Sequence, residues 1–193
     1  MDTPEQTTSL QKIRKIARSA WETAQTVIIA LLVALAVRYY IAQPFLVSGA
    51  SMEPDFHNGN FLIVDEISYR VKSPSRGDVI VFKYPGDRSE YFIKRIIGLP
   101  YEQLTVSDNT VRITMQNGSS TVLLEPYIKP DLRGNQKKEV ALGENEYFVM
   151  GDNRGNSFDS RNWGPLKAED ITGIVRLRVF PFSQFGIINS STY

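Results

Sequence analysis

The sequence predicts a mainly β domain of coiled antiparallel sheets, or a partly open barrel, carried on one N-terminal transmembrane helix. Three observations lead there: an uncharged apolar run near the start, short alternating runs through the rest, and turn residues between those runs. The chain has 193 residues, 22 basic, 21 acidic, one histidine and no cysteine. That length suits one domain plus an anchor. Lack of cysteine excludes a disulfide framework, a thiolate zinc site and a cysteine nucleophile. His57 alone cannot build a multi-histidine metal site, so neither metal nor cofactor is expected. A net charge of +1 lacks the basic surplus of a nucleic-acid binder, and no such partner is expected.

The helix is expected over residues 20–40, after a cytoplasmic segment, 1–19. Thr23 to Val37 carries no charge. Those fifteen residues fall short of the ~20 that a span needs. The flanks make up the deficit: Trp21 and the Tyr39-Tyr40 pair are on the order of 28 Å apart along a helix, near the thickness of a hydrocarbon core. Aromatic residues favour both interfaces. Lys12, Arg14, Lys15 and Arg18 precede the span, which leaves the N-terminus cytoplasmic and the remainder outside. A cleaved signal peptide is the rival reading, but its only small-x-small site, Ala34-x-Ala36, lies inside the apolar run.

Residues 41–193 form the expected extracytoplasmic β domain. Phe61–Val64, Asp78–Tyr84, Tyr91–Gly98, Val111–Met115, Thr121–Leu124, Tyr147–Met150 and Ile171–Phe180 read as strands. The runs flanking Asn117-Gly118 read as a hairpin. The more polar stretch 101–146 is expected to be an inserted β subdomain.

Three segments are unlike ordinary scaffold. Val47-Ser48-Gly49-Ala50-Ser51-Met52-Glu53-Pro54 crowds small residues around Ser51, and Pro54 keeps it out of a helix. In Tyr91–Gly98 the strand period puts Phe92, Lys94 and Ile96 on one face, with Ile93, Arg95 and Ile97 on the other. An apolar setting for Lys94 would disfavour its ammonium and lower its pKa, allowing it to take a proton from a serine; a lysine snorkelling from an edge strand is the plainer alternative. Gly151–Gly164 is a dense polar loop. Trp163 stands where an EF-hand needs its glutamate, and Walker spacing is absent. Its carboxylates and arginines suit a rigid hydrogen-bonded network or a self-capping turn. Among extracytoplasmic hydrolases without cysteine, a serine works with histidine or with lysine. His57 lies six residues from Ser51 in a turn and reads as a surface histidine, which leaves Lys94.

Ser51-Met52-Glu53-Pro54, Arg76-Gly77-Asp78-Val79, Ile93–Pro100 and the Gly151–Gly164 loop, in this order after a membrane segment, resemble the boxes of bacterial type I signal peptidases. The resemblance implies Ser51 as nucleophile and Lys94 as general base. It implies Ser157 as the residue that orients the lysine amine, and Asp152, Asp159 and Arg161 as supports. The Ser51 N–H would be one oxyanion donor. Some members have a serine two residues before the nucleophile, where this chain has Gly49; the second donor is then the Gly49 N–H or the Ser48 hydroxyl. Tyr101 replaces a glycine that usually follows the Leu-Pro pair. Val47, Met52, Phe56, Phe92 and Ile93 are similar in placement to the lining of the family's shallow pockets. The implied substrates are the signal peptides of secreted preproteins, cut after small-x-small sites at a plasma or thylakoid-type membrane, close to the translocation machinery. A self-cleaving serine–lysine regulator and a non-catalytic membrane-tethered peptide-binding domain are the competing readings.

Overall fold

The computed structural model describes residues 4–40, 42–107, 110–128 and 137–191. It divides into two units, 1–41 and 42–193. The first is one helix, α1 (Pro4–Tyr40), which starts well before residue 20. Proline at a first helical position costs nothing, and the glutamine, lysine, arginine and alanine that follow are good helix formers. Arg18 Nε donates to Glu22 Oε1 at 3.0 Å across one turn. Among the described residues no helix is long and apolar enough to cross a membrane. Within α1 the described side chains end at Ala34, so the last three residues of the uncharged run Thr23–Val37 have side chains outside the described residues. Arg38, Tyr39 and Tyr40, expected at the far boundary, have side chains outside the described residues, as does Lys12.

The second unit is mainly β and antiparallel. Its strands are β1 (Ala42–Leu46), β2 (Phe61–Asp65), β3 (Val79–Tyr84), β4 (Asp87–Gly98), β5 (Gln103–Ser107), β6 (Thr110–Thr114), β7 (Ser120–Val122), β8 (Lys138–Ala141), β9 (Glu146–Met150), β10 (Leu166–Lys167), β11 (Ile171–Phe180) and β12 (Gly186–Ile187). Two short helices, α2 (Ser68–Val71) and α3 (Ser160–Trp163), join them. The larger sheet runs β1-β2-β11-β3-β4-β9-β10 with β12 on β11, and the smaller runs β7-β6-β5-β8. Each path has two ends, so among the described residues neither sheet closes into a barrel. The hairpin around Asn117-Gly118 forms, pairing Arg112 with Val122 and Thr114 with Ser120.

Three apolar clusters fill the unit. One, around Ile97, Leu104, Ile113 and Phe148, joins the two sheets. The second packs Val47, Met52 and Phe56 from the segment after β1 onto Leu62, Val79 and Val175. The third sets Ile80, Phe82, Ile96 and Val149 beneath α3. The second and third flank the inner half of β4, which positions the site.

Candidate active site

β4 lies between β3 and β9, with Ile80 opposite Lys94 and Val79 opposite Arg95. Lys94 is therefore central in the sheet and only 4% exposed. Its Nζ lies 2.8 Å from Ser51 Oγ and donates to the Ile93 carbonyl at 2.9 Å. The Phe92 ring centroid is 5.4 Å away. Burial pushes the amine down to about 8, against the pull of Asp159 and Asp152 in the other direction. Phe92 and Ile96, the apolar neighbours that the strand period suggested, belong to the packed apolar cluster on this part of β4.

Ser51 sits in a turn with a cis Glu53–Pro54 bond. Phe56 N–H donates to the Met52 carbonyl at 2.9 Å, and Val47 N–H to the Asn60 carbonyl at 2.9 Å. The 151–164 loop holds this turn from the other side. Asn153 N–H donates to the Ser51 carbonyl at 3.0 Å, and its side-chain amide to the Ala50 carbonyl at 3.1 Å. Gly151 is required at this junction. A Cβ there would lie 2.3 Å from Ser157 Oγ and 2.4 Å from the Ser51 carbonyl oxygen.

Buried ion pairs hold the loop. Asp152 accepts from Arg95 Nε at 2.9 Å and from Nη2 at 2.6 Å. Burial pushes the Asp152 carboxyl above its usual value, and Arg95 pulls it back. Asp159 caps α3, accepts from Gly151 N–H at 3.0 Å and is gripped by Arg161 through two bonds of 2.8 Å. Burial works to raise Asp159, but Arg161, the Gly151 N–H and the neighbouring Ser157 hydroxyl outweigh it, and its carboxyl stays below the usual range. Arg154 bridges the loop to Glu125 and donates to the Gly151 carbonyl. The sequence marked Asn153 and Arg154 only as members of the dense polar loop and gave no sign of Glu125, because the partners Ala50, Ser51 and Glu125 lie far along the chain from that loop.

Ser157 Oγ is buried close to Gly151 and Asp159, yet it is not aligned for a hydrogen bond and makes none to Lys94. The Gly49 N–H is already engaged, donating to Asn58 Oδ1 at 3.1 Å. Among the described residues nothing accepts from the Ser51 N–H or pairs with the Ser48 hydroxyl. Beside Ser51 and Lys94 lies a cleft of about 370 Å³. Val47, Phe92 and Ile93 line it, together with Phe45, Tyr91 and Phe158. Met52 and Phe56, both 1% exposed, lie in the core next to Val47 rather than on the wall. Among the described residues no group of carboxylates and imidazole is placed to hold a metal ion.

A serine on a tight turn 2.8 Å from a desolvated lysine is an arrangement that serine hydrolysis can use. The family model described as signal peptidase, peptidase S26, matches residues 20–180. A signal peptidase I of Bacillus amyloliquefaciens is 36% identical over 91% of this chain and 93% of its own. Signal peptidase I T of Bacillus subtilis is 35% identical over 94% of this chain and 97% of its own. A crystal structure of a signal peptidase I from Enterococcus faecalis V583 is 32% identical, with a TM-score of 0.44, over 54% of this chain and 97% of that one. This chain belongs to the signal peptidase family, peptidase S26, and is a serine protease that removes signal peptides.

Proposed function

We propose that Ser51 and Lys94 form the catalytic dyad and that cleavage follows small-x-small sites in secreted preproteins. The observation that carries this reading is the 2.8 Å approach of Lys94 Nζ to Ser51 Oγ, with the amine held near pKa 8. In the neutral lysine, the Nζ lone pair takes the hydroxyl proton as Ser51 Oγ bonds to the scissile carbonyl carbon. The same proton passes to the departing amine as the C–N bond breaks. Water, deprotonated by Lys94, then attacks the acyl carbon, and the proton returns from Lys94 to Ser51 Oγ as the ester C–O bond breaks. Ser157 orients the amine, a role supported by its buried hydroxyl, which makes no hydrogen bond and lies at Gly151 together with the Ser51 carbonyl. Asp152, Asp159 and Arg161 fix the loop that carries it.

The Ser51 N–H is the first oxyanion donor. With the Gly49 N–H committed to Asn58, the Ser48 hydroxyl, exposed on the cleft wall, is the second. The substrate lies as an extended strand along the cleft, and apolar walls built from Val47, Phe92 and Ile93 admit small side chains by excluding large ones. Residues 20–40 anchor the protein in a plasma or thylakoid-type membrane, N-terminus inside, near emerging preproteins. The uncharged run with aromatic ends in the full sequence supports this.

Full-length protein in detergent is given a preprotein, and the new N-terminus is identified by mass spectrometry. Ser51→Ala and Lys94→Ala are expected to be inactive, and Ser48→Ala to lose about 10²–10³ in kcat with KM little changed. Cleavage by Lys94→Ala at the wild-type rate would remove the base from the mechanism. A wild-type rate for Ser48→Ala would return the second donor to the backbone. Protease added to sealed membranes is expected to digest the domain beyond residue 40 only from outside; digestion from the cytoplasmic side would reverse the orientation.

A further inference from the structure

The segment after β11 turns back toward the site by a route that the dyad does not explain. β12 pairs with β11, Leu177 opposite Ile187. Ile188 then donates its N–H to the Arg176 carbonyl at 2.8 Å and packs against the cluster containing Val47, Met52 and Phe56. Ser190 donates its hydroxyl to Asp78 Oδ1, while Asp78 Oδ2 accepts from Tyr69 at 2.7 Å and from Ser75 N–H at 2.9 Å. Ser191 crosses Gly77, its N–H donating to the Gly77 carbonyl at 3.3 Å. Ser191 Oγ accepts from Arg95 Nη1 at 2.8 Å.

Arg95 is 2% exposed and is the residue that grips Asp152. Its Nη1 also donates to the Gly77 carbonyl at 3.1 Å. Asp152 is followed directly by Asn153, which clamps the Ala50 and Ser51 carbonyls. A continuous path of hydrogen bonds and chain therefore runs from Ser191 through Arg95, Asp152 and Asn153 to the backbone of Ser51. Gly77 has φ +88, and a Cβ on it would stand 2.1 Å from the Ser191 carbonyl oxygen. The crossing is thus possible only because residue 77 has no side chain.

The geometry points to Ser191 as a positioning residue for the reaction: residues 188–191 strap across Gly77 and set the guanidinium of Arg95, which sets the loop that clamps the nucleophile. This rests on the serine–lysine reading of the site. Ser191 touches neither substrate nor dyad and acts through Arg95.

Kinetics of the full-length protein test it. Ser191→Ala removes one bond to a buried cation and is expected to lower kcat about fivefold, with KM unchanged, at a temperature where the variant is fully folded. Ser191→Thr restores the rate. Asp159, Asp152 and Arg161 are the charged groups acting on Lys94. A loosened Arg95 leaves the Asp152 charge less neutralised, so the acid limb of the Ser191→Ala profile moves to higher pH. Gly77→Ala displaces the strap, and Ser191→Ala added to it costs nothing further. Wild-type kcat in Ser191→Ala, or losses that add in full in the double variant, would overturn the inference. An inactive wild type or an active Ser51→Ala would instead overturn the dyad beneath it.

Discussion

Replacing Lys94 with methionine will abolish cleavage and stabilise the domain. The activity loss follows from removing the base proposed above, an effect of about 10²–10⁴-fold. The stability gain follows from burial. The amine falls from its ordinary 10.5 to about 8, and that gap corresponds to about 3 kcal/mol by which the fold disfavours the ammonium. Methionine has similar volume and length with no charge to desolvate. It gives up the contacts with Ser51 and the Ile93 carbonyl, so the net gain is about 2 kcal/mol at neutral pH. The sign has a pH signature. Below pH 8 both folded and unfolded chains hold the lysine proton, and the penalty is fully present. Between about 8 and 10.5 the unfolded chain keeps a proton that the folded one has released, so wild-type stability climbs with pH. The advantage of Lys94→Met is therefore largest below pH 8 and gone above about 10.5. Denaturant titrations at several pH values measure it, and a variant less stable than wild type at pH 7 would contradict the desolvation argument. In the wild type, kcat should rise with pH and level off above about 8, because only the neutral amine accepts a proton.

Asp152→Ala will cost about 3–5 kcal/mol and take most activity with it. The carboxylate is fully buried against Arg95. Removing it takes two short charge-assisted bonds from a buried guanidinium, and the carboxylate that remains to it, Asp55 Oδ2 at 3.1 Å, is on a side chain 44% exposed. The cost lies mainly in a buried charge that is then less well neutralised. Replacing both partners, Arg95→Met with Asp152→Leu, should accordingly recover much of the stability while leaving activity low, since the 151–164 loop then loses one of the ion pairs that fix its register against Ser51. Chemical denaturation of the two variants separates the effects. A double variant as unstable as Asp152→Ala would mean that the pair itself, and not the poorly neutralised buried cation, accounts for the loss.

The alternation rule found the face of Lys94 because a strand has period 2 and its neighbours on that face, Phe92 and Ile96, are apolar. Strand β11 could be read along its whole length for the same reason. β1 escaped because Pro44 interrupts it, and its pairing with β2 is an edge pairing that spares the missing N–H. β8 escaped because Lys138 and Glu139 are poor strand formers; what holds it is the register with β5, Leu104 opposite Val140. Helix α1 starts at Pro4 because a helix extends as far as propensity allows, whereas the apolar count marks only its uncharged part. At the site, Ser51 and Lys94 stood out through local pattern. Arg95 read as pointing away from the chemistry, and it does point away; its importance comes from Asp152, 57 residues on. The engagement of the Gly49 N–H by Asn58 could not be foreseen either, since it depends on how one turn folds over another. Composition and spacing report what a residue is and which way it faces, while a partner distant in the chain is set by packing alone.

β4 is twelve residues long, but only its second half is buried. Residues 87–91 are exposed, and Tyr84, stacked on Phe92 at 4.7 Å, marks the border. Amides in the outer half are open to exchange by local fraying, whereas those from Ile93 to Ile97 need a much larger opening of the sheet. Opening the outer turn of this hairpin would therefore leave the buried half of β4, and Lys94 with it, in place. The strand behaves as a cantilever clamped at its inner end, free to flex at the tip while the clamped length keeps its position.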